Sequence, residues 1–549
     1  MAFFLFRKPA QPAPADPLES RTAVAAWLEE QSKVDTIGRL EAVLKILADG
    51  CRPENDLTLD RMGAVEYLDA ALGVDRGTLI TQYTENAQTL PAVANRIWQA
   101  AHEASQGFIA AYRTLFEHAL RRAGDPEWEE ATPNLLAHLI HYFGTESKLR
   151  VLRNEAWIPA KWMDLHELYR RSLELGIAKV PVFPRIGASG RDRPTIEQEY
   201  IAVLLTHALN TGTLTPPEID WVAAQVRRWA EGLELCSEPP PSGGLVVDID
   251  GRSGLAPPGR PVRGRARYLN MEQVTRQLER TVAAQREKLE TDPDSMRETD
   301  RRRIAILEKL RPVFAPGSSP ALPRDPRVKV EALAQVRIGL AEICRELGSG
   351  ESRNLPADLA SPAGPAGAGS IAGGDLPVGE RFWQIDNRSD SGLRIIGPVG
   401  AGRGILLGGL VAIREPGDAV WALGVVRRMT RPLTDRVEIG IAIVADHLLP
   451  IALHAKRQAR DDMGFVVDGV DVSTIGERFD GLLLRSQRLP DRTPGPWSLI
   501  IAASEYSPGR QVILLTQHTI YTVALRQVLE RQVDWVWVVI EILGQAPRH

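Results

Sequence analysis

Residues 387–392 read Asn-Arg-Ser-Asp-Ser-Gly and stand between two short apolar runs, Phe382–Asp386 and Leu393–Gly397. A polar stretch that ends in glycine, with strand-like residues on both sides, predicts two strands joined by a tight turn. The pattern continues downstream. Strands are predicted at Leu407–Arg414, Trp421–Thr430 and Arg436–Val444, separated by the turn signals Glu415-Pro-Gly-Asp418 and Pro432–Asp435. Many short strands with tight turns and no long helix between them predict a small antiparallel barrel. Further strands are predicted near Gly464–Val467, Gly481–Arg485, Leu499–Ala503, Gln511–Thr516 and Trp535–Ile542, while Tyr521–Arg531 fits a helix. That part has the pattern of a second β-rich, barrel-like lobe.

Upstream the period changes. From Arg21 to about Gly350 the apolar spacing is that of helices packed on one another. Asn134–Phe143 places Leu135, Leu136, Leu139, Ile140 and Phe143 on one face. Thr195-x-x-Gln198 and Thr215-Pro-Pro-Glu218 are capping boxes, and the second also has proline at the first helical position. Gly50 and Gly176 mark helix ends. Trp162–Gly176 resembles one helix of a tetratricopeptide-type repeat, but no fixed period recurs, so an irregular helical array is expected. Helices are also expected at Thr275–Glu290, Arg301–Leu310 and Arg327–Leu347. Two stretches interrupt this pattern. Ser237–Gly244 carries three prolines, which cannot sit inside a helix, and leads into a strand-like run at Leu245–Ile249 and a loop at Pro257–Arg267. Ser361–Gly374 has no charge and almost no bulk, as a flexible linker does.

Composition excludes several classes. The 549 residues carry 66 Lys+Arg and 70 Asp+Glu, a formal charge of −4, which argues against a nucleic-acid-coating surface. Cys51, Cys236 and Cys344 lie far apart, so neither a disulfide scaffold nor a CxxC zinc site is expected, and a reducing cytoplasm suits them. No apolar run approaches the roughly 20 residues that span a bilayer. The start places Phe3, Phe4 and Phe6 before Arg7 and Lys8, the reverse of a secretory signal, and is expected to be a tail.

Asn387-Arg-Ser-Asp-Ser-Gly392 fits (D/N)-x-S-x-x-G, and the strands after it follow in order: Leu393-Arg-Ile-Ile, Gly409-Leu-Val-Ala-Ile, Trp421-Ala-Leu-Gly-Val-Val-Arg-Arg and Val437-Glu-Ile-Gly-Ile-Ala-Ile. This segment, roughly residues 379–455, resembles the PilZ domains of bacterial signal transduction. The resemblance implies a non-enzymatic receptor for cyclic di-GMP, a ligand with two anionic phosphates and two guanines. It places Asn387 and Ser389 against a guanine edge, with Gly392 allowing close backbone approach. PilZ domains hold the ligand with an R-x-x-x-R pair before the first strand, and here residues 361–380 contain no arginine. Arg427-Arg-Met-Thr-Arg431 and Arg263-Gly-Arg-Ala-Arg267, the latter in a run with Arg260, are the substitutes in view. Arg388, Arg427 and Arg431 join Asn387, Ser389 and Gly392 as candidate binding residues.

Other motifs are weaker. Leu245–Gly251 resembles the first motif of haloacid-dehalogenase-type phosphatases, with Asp248 and Asp250 in the acidic positions, but Arg252 stands where threonine is wanted and a proline-rich loop replaces the expected strand–helix alternation. His138-x-x-His141 has metal-ligand spacing without a completing carboxylate pair or cysteine. Gly400-Ala-Gly-Arg-Gly404 opens no helix, so it is no dinucleotide cradle. The chain therefore reads as a multidomain α+β protein: an N-terminal all-α helical array followed by an antiparallel PilZ-like barrel and the second lobe. The boundaries are a disordered tail (1–20), a helical domain (21–236), a Pro/Gly-rich break (237–268), a helical segment (269–349), a linker (350–378), the barrel (379–455) and the lobe (456–549). Cyclic di-GMP binding at the barrel is expected to modulate an unidentified protein partner of the helical module. No nucleic acid, membrane span, metal or catalytic residue is expected. The alternative is a ligand-free scaffold.

Overall fold

The computed structural model describes residues 16–547, apart from 183–193, 292–297, 315–325, 349–381, 399–404, 457–465, 486–496 and a scatter of gaps of one to three residues. The expected linker at Ser361–Gly374, the Gly400–Gly404 stretch and nearly all of the N-terminal tail lie outside the described residues. The chain divides into two compact units, residues 1–321 and 322–549.

The first unit is a helical array closed by a small sheet. Its helices are α1 (Arg21–Glu30), α2 (Thr36–Gly50), α3 (Leu59–Ala71), α4 (Gly73–Asn86), α5 (Pro91–Arg121), α6 (Pro126–Leu152), α7 (Pro159–Glu174), α8 (Ile196–Ala208), α9 (Pro216–Ala230), α10 (Glu272–Thr291) and α11 (Glu298–Phe314). Strands β1 (Leu235–Cys236), β2 (Leu245–Asp248) and β3 (Ala266–Leu269) form an antiparallel sheet in the order β1-β3-β2. Local chemistry sets these ends. The Thr195 hydroxyl accepts from Gln198 N and the Gln198 side chain accepts from Thr195 N. Proline opens α5, α6, α7 and α9, where its missing N–H costs nothing. Leu135, Leu136, Leu139, Ile140 and Phe143 are all fully buried, as their spacing on α6 requires.

The second unit holds two closed barrels. The first is built from β4 (Val328–Ile338), β5 (Phe382–Ser389), β6 (Gly392–Pro398), β7 (Leu410–Arg414), β8 (Ala422–Leu433) and β9 (Arg436–Ala445), in the cyclic order β4-β5-β6-β9-β8-β7. The helix α12 (Leu340–Leu347) follows β4. The second barrel uses β10 (Leu449–Lys456), then, after a small hairpin of β11 (Val466–Val467) and β12 (Val470–Asp471), β13 (Ile475–Arg485), β14 (Trp497–Ala502), β15 (Gln511–Leu515), β16 (Thr519–Arg531) and β17 (Trp535–Pro547). Its order is β10-β13-β14-β17-β16-β15. Numbered along the chain within each barrel, both follow the same path, 1-2-3-6-5-4. The second lobe is thus a topological copy of the first barrel.

Two expected helices are strands. Arg327–Leu347 is not one helix: Val328–Ile338 is β4, and only Leu340–Leu347 is helical. Val330, Ala332, Ala334, Val336 and Ile338 pack on the barrel core, a period of two that helix-forming Ala, Leu and Glu had masked. Tyr521–Arg531 lies within β16, where Tyr521, Val523 and Leu525 fill the core and β17 pairs along its length. Tertiary pairing overrides propensity there. The first barrel therefore takes its first strand from the segment read as helical, and Leu449–Lys456, read with the first barrel, opens the second.

The barrels share a joint. Leu410 and Ala412 on β7 and Leu423 and Val425 on β8 pack with Leu482, Leu484, Ile500 and Trp535 of the second barrel, and α12 adds Leu340, Ile343 and Cys344. Trp535 is fully buried and its indole N–H donates to the Gly408 carbonyl at 3.0 Å. Trp535→Ala should lower stability by about 3–5 kcal/mol, the range for truncating a buried aromatic. Urea unfolding of the full chain, followed by hydrogen exchange in β7, β8 and β14, checks this; an unchanged β7 and β8 would show that the joint does not brace the first barrel.

Candidate functional site

The hexapeptide 387–392 occupies the end of β5, a two-residue turn at Asp390 and Ser391, and the start of β6. Ser389 pairs with Gly392 across the turn, and the Ser389 hydroxyl donates to the Gly392 carbonyl at 3.4 Å. Gly392 is required by crowding: a Cβ there would come within 2.5 Å of the Ile441 carbonyl oxygen on β9.

Strand register extends this corner into a face. Asn387 stands opposite Arg394 on β6, Arg394 opposite Gly440 on β9, and Gly440 opposite Arg428 on β8. Ile395, Ile439 and Ile441 point into the core, so alternation turns Arg394, Glu438 and Gly440 outward. Adjacent strands lie about 4.8 Å apart, which puts the Arg394 and Arg428 backbones roughly 10 Å apart with a glycine floor between them. Asn387 Nδ2 donates to Asp386 at 2.9 Å. The Arg394 guanidinium sits between Asp386 at 3.3 Å and Glu438. Thr430 Oγ1 donates to Glu438 at 3.4 Å. Arg428 is exposed and makes no ion pair among the described residues.

Asn387, Ser389 and Gly392 therefore share one solvent-facing surface. The candidate arginines are placed differently. Arg388 is ion-paired with Glu415. Arg427 is held by Glu530 of the second barrel through two bonds of 2.6 Å. Burial pushes the Glu530 carboxyl up, but the hydrogen bonds from Arg427 and Gln532 outweigh it and hold the group below the ordinary range. Arg431 is half-buried near the far end of β8. Sequence reasoning missed Arg394, Arg428 and Gly440 as a set. The signal was present in the alternation of Leu393-Arg-Ile and Val437-Glu-Ile-Gly-Ile, which assigns the polar members to the outside.

The corresponding face of the second barrel is different. There Leu482, Leu484, Ser498, Ile500 and Trp535 face outward and are buried, while Asp480 on β13 and Glu541 on β17, on the same outer side, are exposed. The apolar ones pack on the first barrel and α12. The part of the second barrel's face that carries these residues is apolar and covered, whereas the Asn387–Arg394–Gly440–Arg428 row of the first barrel is polar.

In the helical unit the polar interest centres on Asp69, 5 % exposed on α3. Its carboxylate accepts from Tyr112 Oη at 2.8 Å, from Tyr142 Oη and from Arg76 Nη2 at 2.5 Å, and lies 3.1 Å from His138 Nδ1. Burial raises its pKa, but these partners, led by His138, bring the net shift well below the ordinary carboxylate range. A cleft of about 660 Å³ opens above it, lined among others by Glu66, Glu127 and Glu130. His141 faces Glu199 at 3.5 Å instead, so the two histidines serve different acids. Asp248 accepts from the backbone N–H groups of Asp250 and Gly264, each at 3.0 Å, and Asp250 binds Arg170 and Arg265. These carboxylates close the β2–β3 hairpin, and Arg265 of the 260–267 run is committed there.

Fold and face together define a protein with a helical unit and a tandem of like-wound barrels, the first of which carries the polar row beside the Asn-x-Ser-x-x-Gly turn. Residues 22–240, within the helical unit, match the family model described as "Cyclic-di-GMP receptor FimW, N-terminal domain". This match lies N-terminal to the segment that carries the PilZ resemblance. No curated protein matches the chain. Among the described residues no helix is long and apolar enough to cross a membrane.

Asp69→Asn should destabilise the helical unit by about 3 kcal/mol or more at pH 7, since it weakens a buried charge network. The stability that the wild-type carboxylate contributes is present above its unfolded pKa of about 3.9 and is lost as pH falls below that toward the depressed folded value. Urea denaturation at pH 7 and pH 3 should therefore show the two proteins converging in acid.

Proposed function

We propose that this chain is a non-enzymatic cyclic di-GMP receptor whose ligand lies on the outer face of β5, β6, β9 and β8. The row Asn387–Arg394–Gly440–Arg428 beside the Asn-x-Ser-x-x-Gly turn is the observation that carries the reading. Asn387 and Ser389 offer hydrogen-bonding groups to a guanine edge, and Gly392 and Gly440 leave the backbone low enough for a flat ring. Arg428 and Arg394 supply guanidinium groups for the two phosphates. Arg394 must exchange Asp386 and Glu438 for phosphate to do so. The family match over residues 22–240 supports the same ligand class from the other half of the chain.

The helical unit is then the output: it presents a surface to a protein partner, and the ligand acts on that surface only to the extent that it binds one arrangement of the chain more tightly. The second reading is a ligand-free scaffold. It is favoured by the missing R-x-x-x-R pair and by the carboxylates that already neutralise Arg394.

Isothermal titration of the full chain separates these readings. A receptor gives heat with cyclic di-GMP at tens of micromolar or below, and no heat there removes the receptor. Arg428→Ala should weaken binding by about tenfold, the worth of one charge-assisted hydrogen bond of about 1.5 kcal/mol, and Ser389→Ala, which removes a neutral hydrogen bond of about 1 kcal/mol, by about fivefold, with melting unchanged.

A further inference from the structure

We infer that the second barrel is a brace for the binding face: Glu530 and Trp535 are positioning residues that fix a bulge in β8 and thereby aim Arg428. This inference rests on the receptor reading and adds how its affinity is set.

Simple alternation along β8 would bury Arg428. Val426 points into the core, so the next residue should face out and the one after it inward. The pairing instead slips by one. Val426 stands opposite Ile441, Arg428 opposite Gly440, and Arg427 is the extra residue. A bulge of this kind re-aims the side chains after it. Here it delivers Arg428 to the outer face, next to a glycine whose Cβ would lie 3.3 Å from that of Arg428.

The second barrel grips the bulge from two sides. The Arg427 guanidinium is clamped by both Glu530 oxygens at 2.6 Å. Gln532 Nε2 donates to Glu530 at 2.8 Å and fixes the carboxylate in turn. On the other side, Gly408 N donates to the Val426 carbonyl at 2.8 Å and Val426 N to the Gly409 carbonyl at 3.0 Å. Gly408 itself receives the Trp535 indole N–H at 3.0 Å. It has a positive φ of 78°, and a Cβ there would come within 2.4 Å of the Gln532 amide oxygen. The residue before the bulge and the bulged residue are thus both tied to the strand pair β16–β17.

The test has a ligand-free arm and a ligand arm. In the full chain without ligand, Glu530→Gln should raise amide hydrogen exchange over residues 424–430 while β5 and β6 stay protected. Unchanged exchange there overturns the brace whether or not the protein binds cyclic di-GMP. With cyclic di-GMP as titrant, Glu530→Gln should weaken binding by about tenfold, in keeping with the cost of a misplaced contact. The charge swap Arg427→Glu with Glu530→Arg should restore most of the loss. In an Arg428→Ala background, Glu530→Gln should have no further effect; an undiminished effect would show that Glu530 acts otherwise than through Arg428. If the wild type takes up no ligand, the receptor reading falls and the exchange arm alone decides the brace.

Discussion

A closed barrel has no free edge to satisfy, so its inside is fixed by packing and its outside is free to vary. In the second barrel that outside is Leu482, Leu484, Ile500 and Trp535, and such a surface must be covered. Much else follows from the cover. It explains why β7 and β8 of the first barrel carry apolar residues on their outer side, and why α12 is wedged at the joint. It also explains why Arg427 leaves the binding face to meet Glu530. The first barrel lends one outer face to this contact and keeps another, polar one open. The two barrels share one topology but differ in what their outer faces meet.

The open face is held in balance by its own carboxylates. Arg394 between Asp386 and Glu438 is an exposed to half-buried cluster, and exposed ion pairs are worth about 0.2–1 kcal/mol each. The Arg394–Glu438 contact is itself a charge-assisted hydrogen bond, so a phosphate in the proposed site would replace a contact of its own kind. Arg428 has no such carboxylate partner among the described residues. The two arginines differ in readiness as well as in position.

The helical unit is organised by a different device, a buried carboxylate with hydroxyl, imidazole and guanidinium partners drawn from α4, α5 and α6. Asp69 alone in that core would be prohibitively costly, and with its partners it fixes how four helices meet. This network is structural in its saturation: Tyr112, Tyr142, Arg76 and His138 leave the carboxylate little capacity for a ligand. The neighbouring cleft is lined by Glu66, Glu127 and Glu130 together with Arg21, Arg76 and His138. The family match over residues 22–240 and the motif at 387–392 come from separate parts of the chain.

Helix positions in the first unit were largely legible, because capping boxes, N-terminal prolines and the Asn134–Phe143 stripe are local chemistry. The strands were legible where β-branched residues alternate. Reading failed at Val328–Ile338 and Tyr521–Arg531, where Ala, Leu, Glu and Arg favour a helix and only a distant partner makes a strand. The binding corner was visible as a motif, but its arginines were not, for a physical reason. Arginines three or four residues apart along one segment are what a loop would present. A barrel instead collects residues across strands, and Arg394 and Arg428 are neighbours only because β6, β9 and β8 are adjacent and β8 slips by one residue. That slip is invisible in Val425-Val-Arg-Arg-Met, since either arginine could have been the bulged one. What decides it is Glu530, more than a hundred residues further along the chain, whose carboxylate takes Arg427 and leaves Arg428 to the open face.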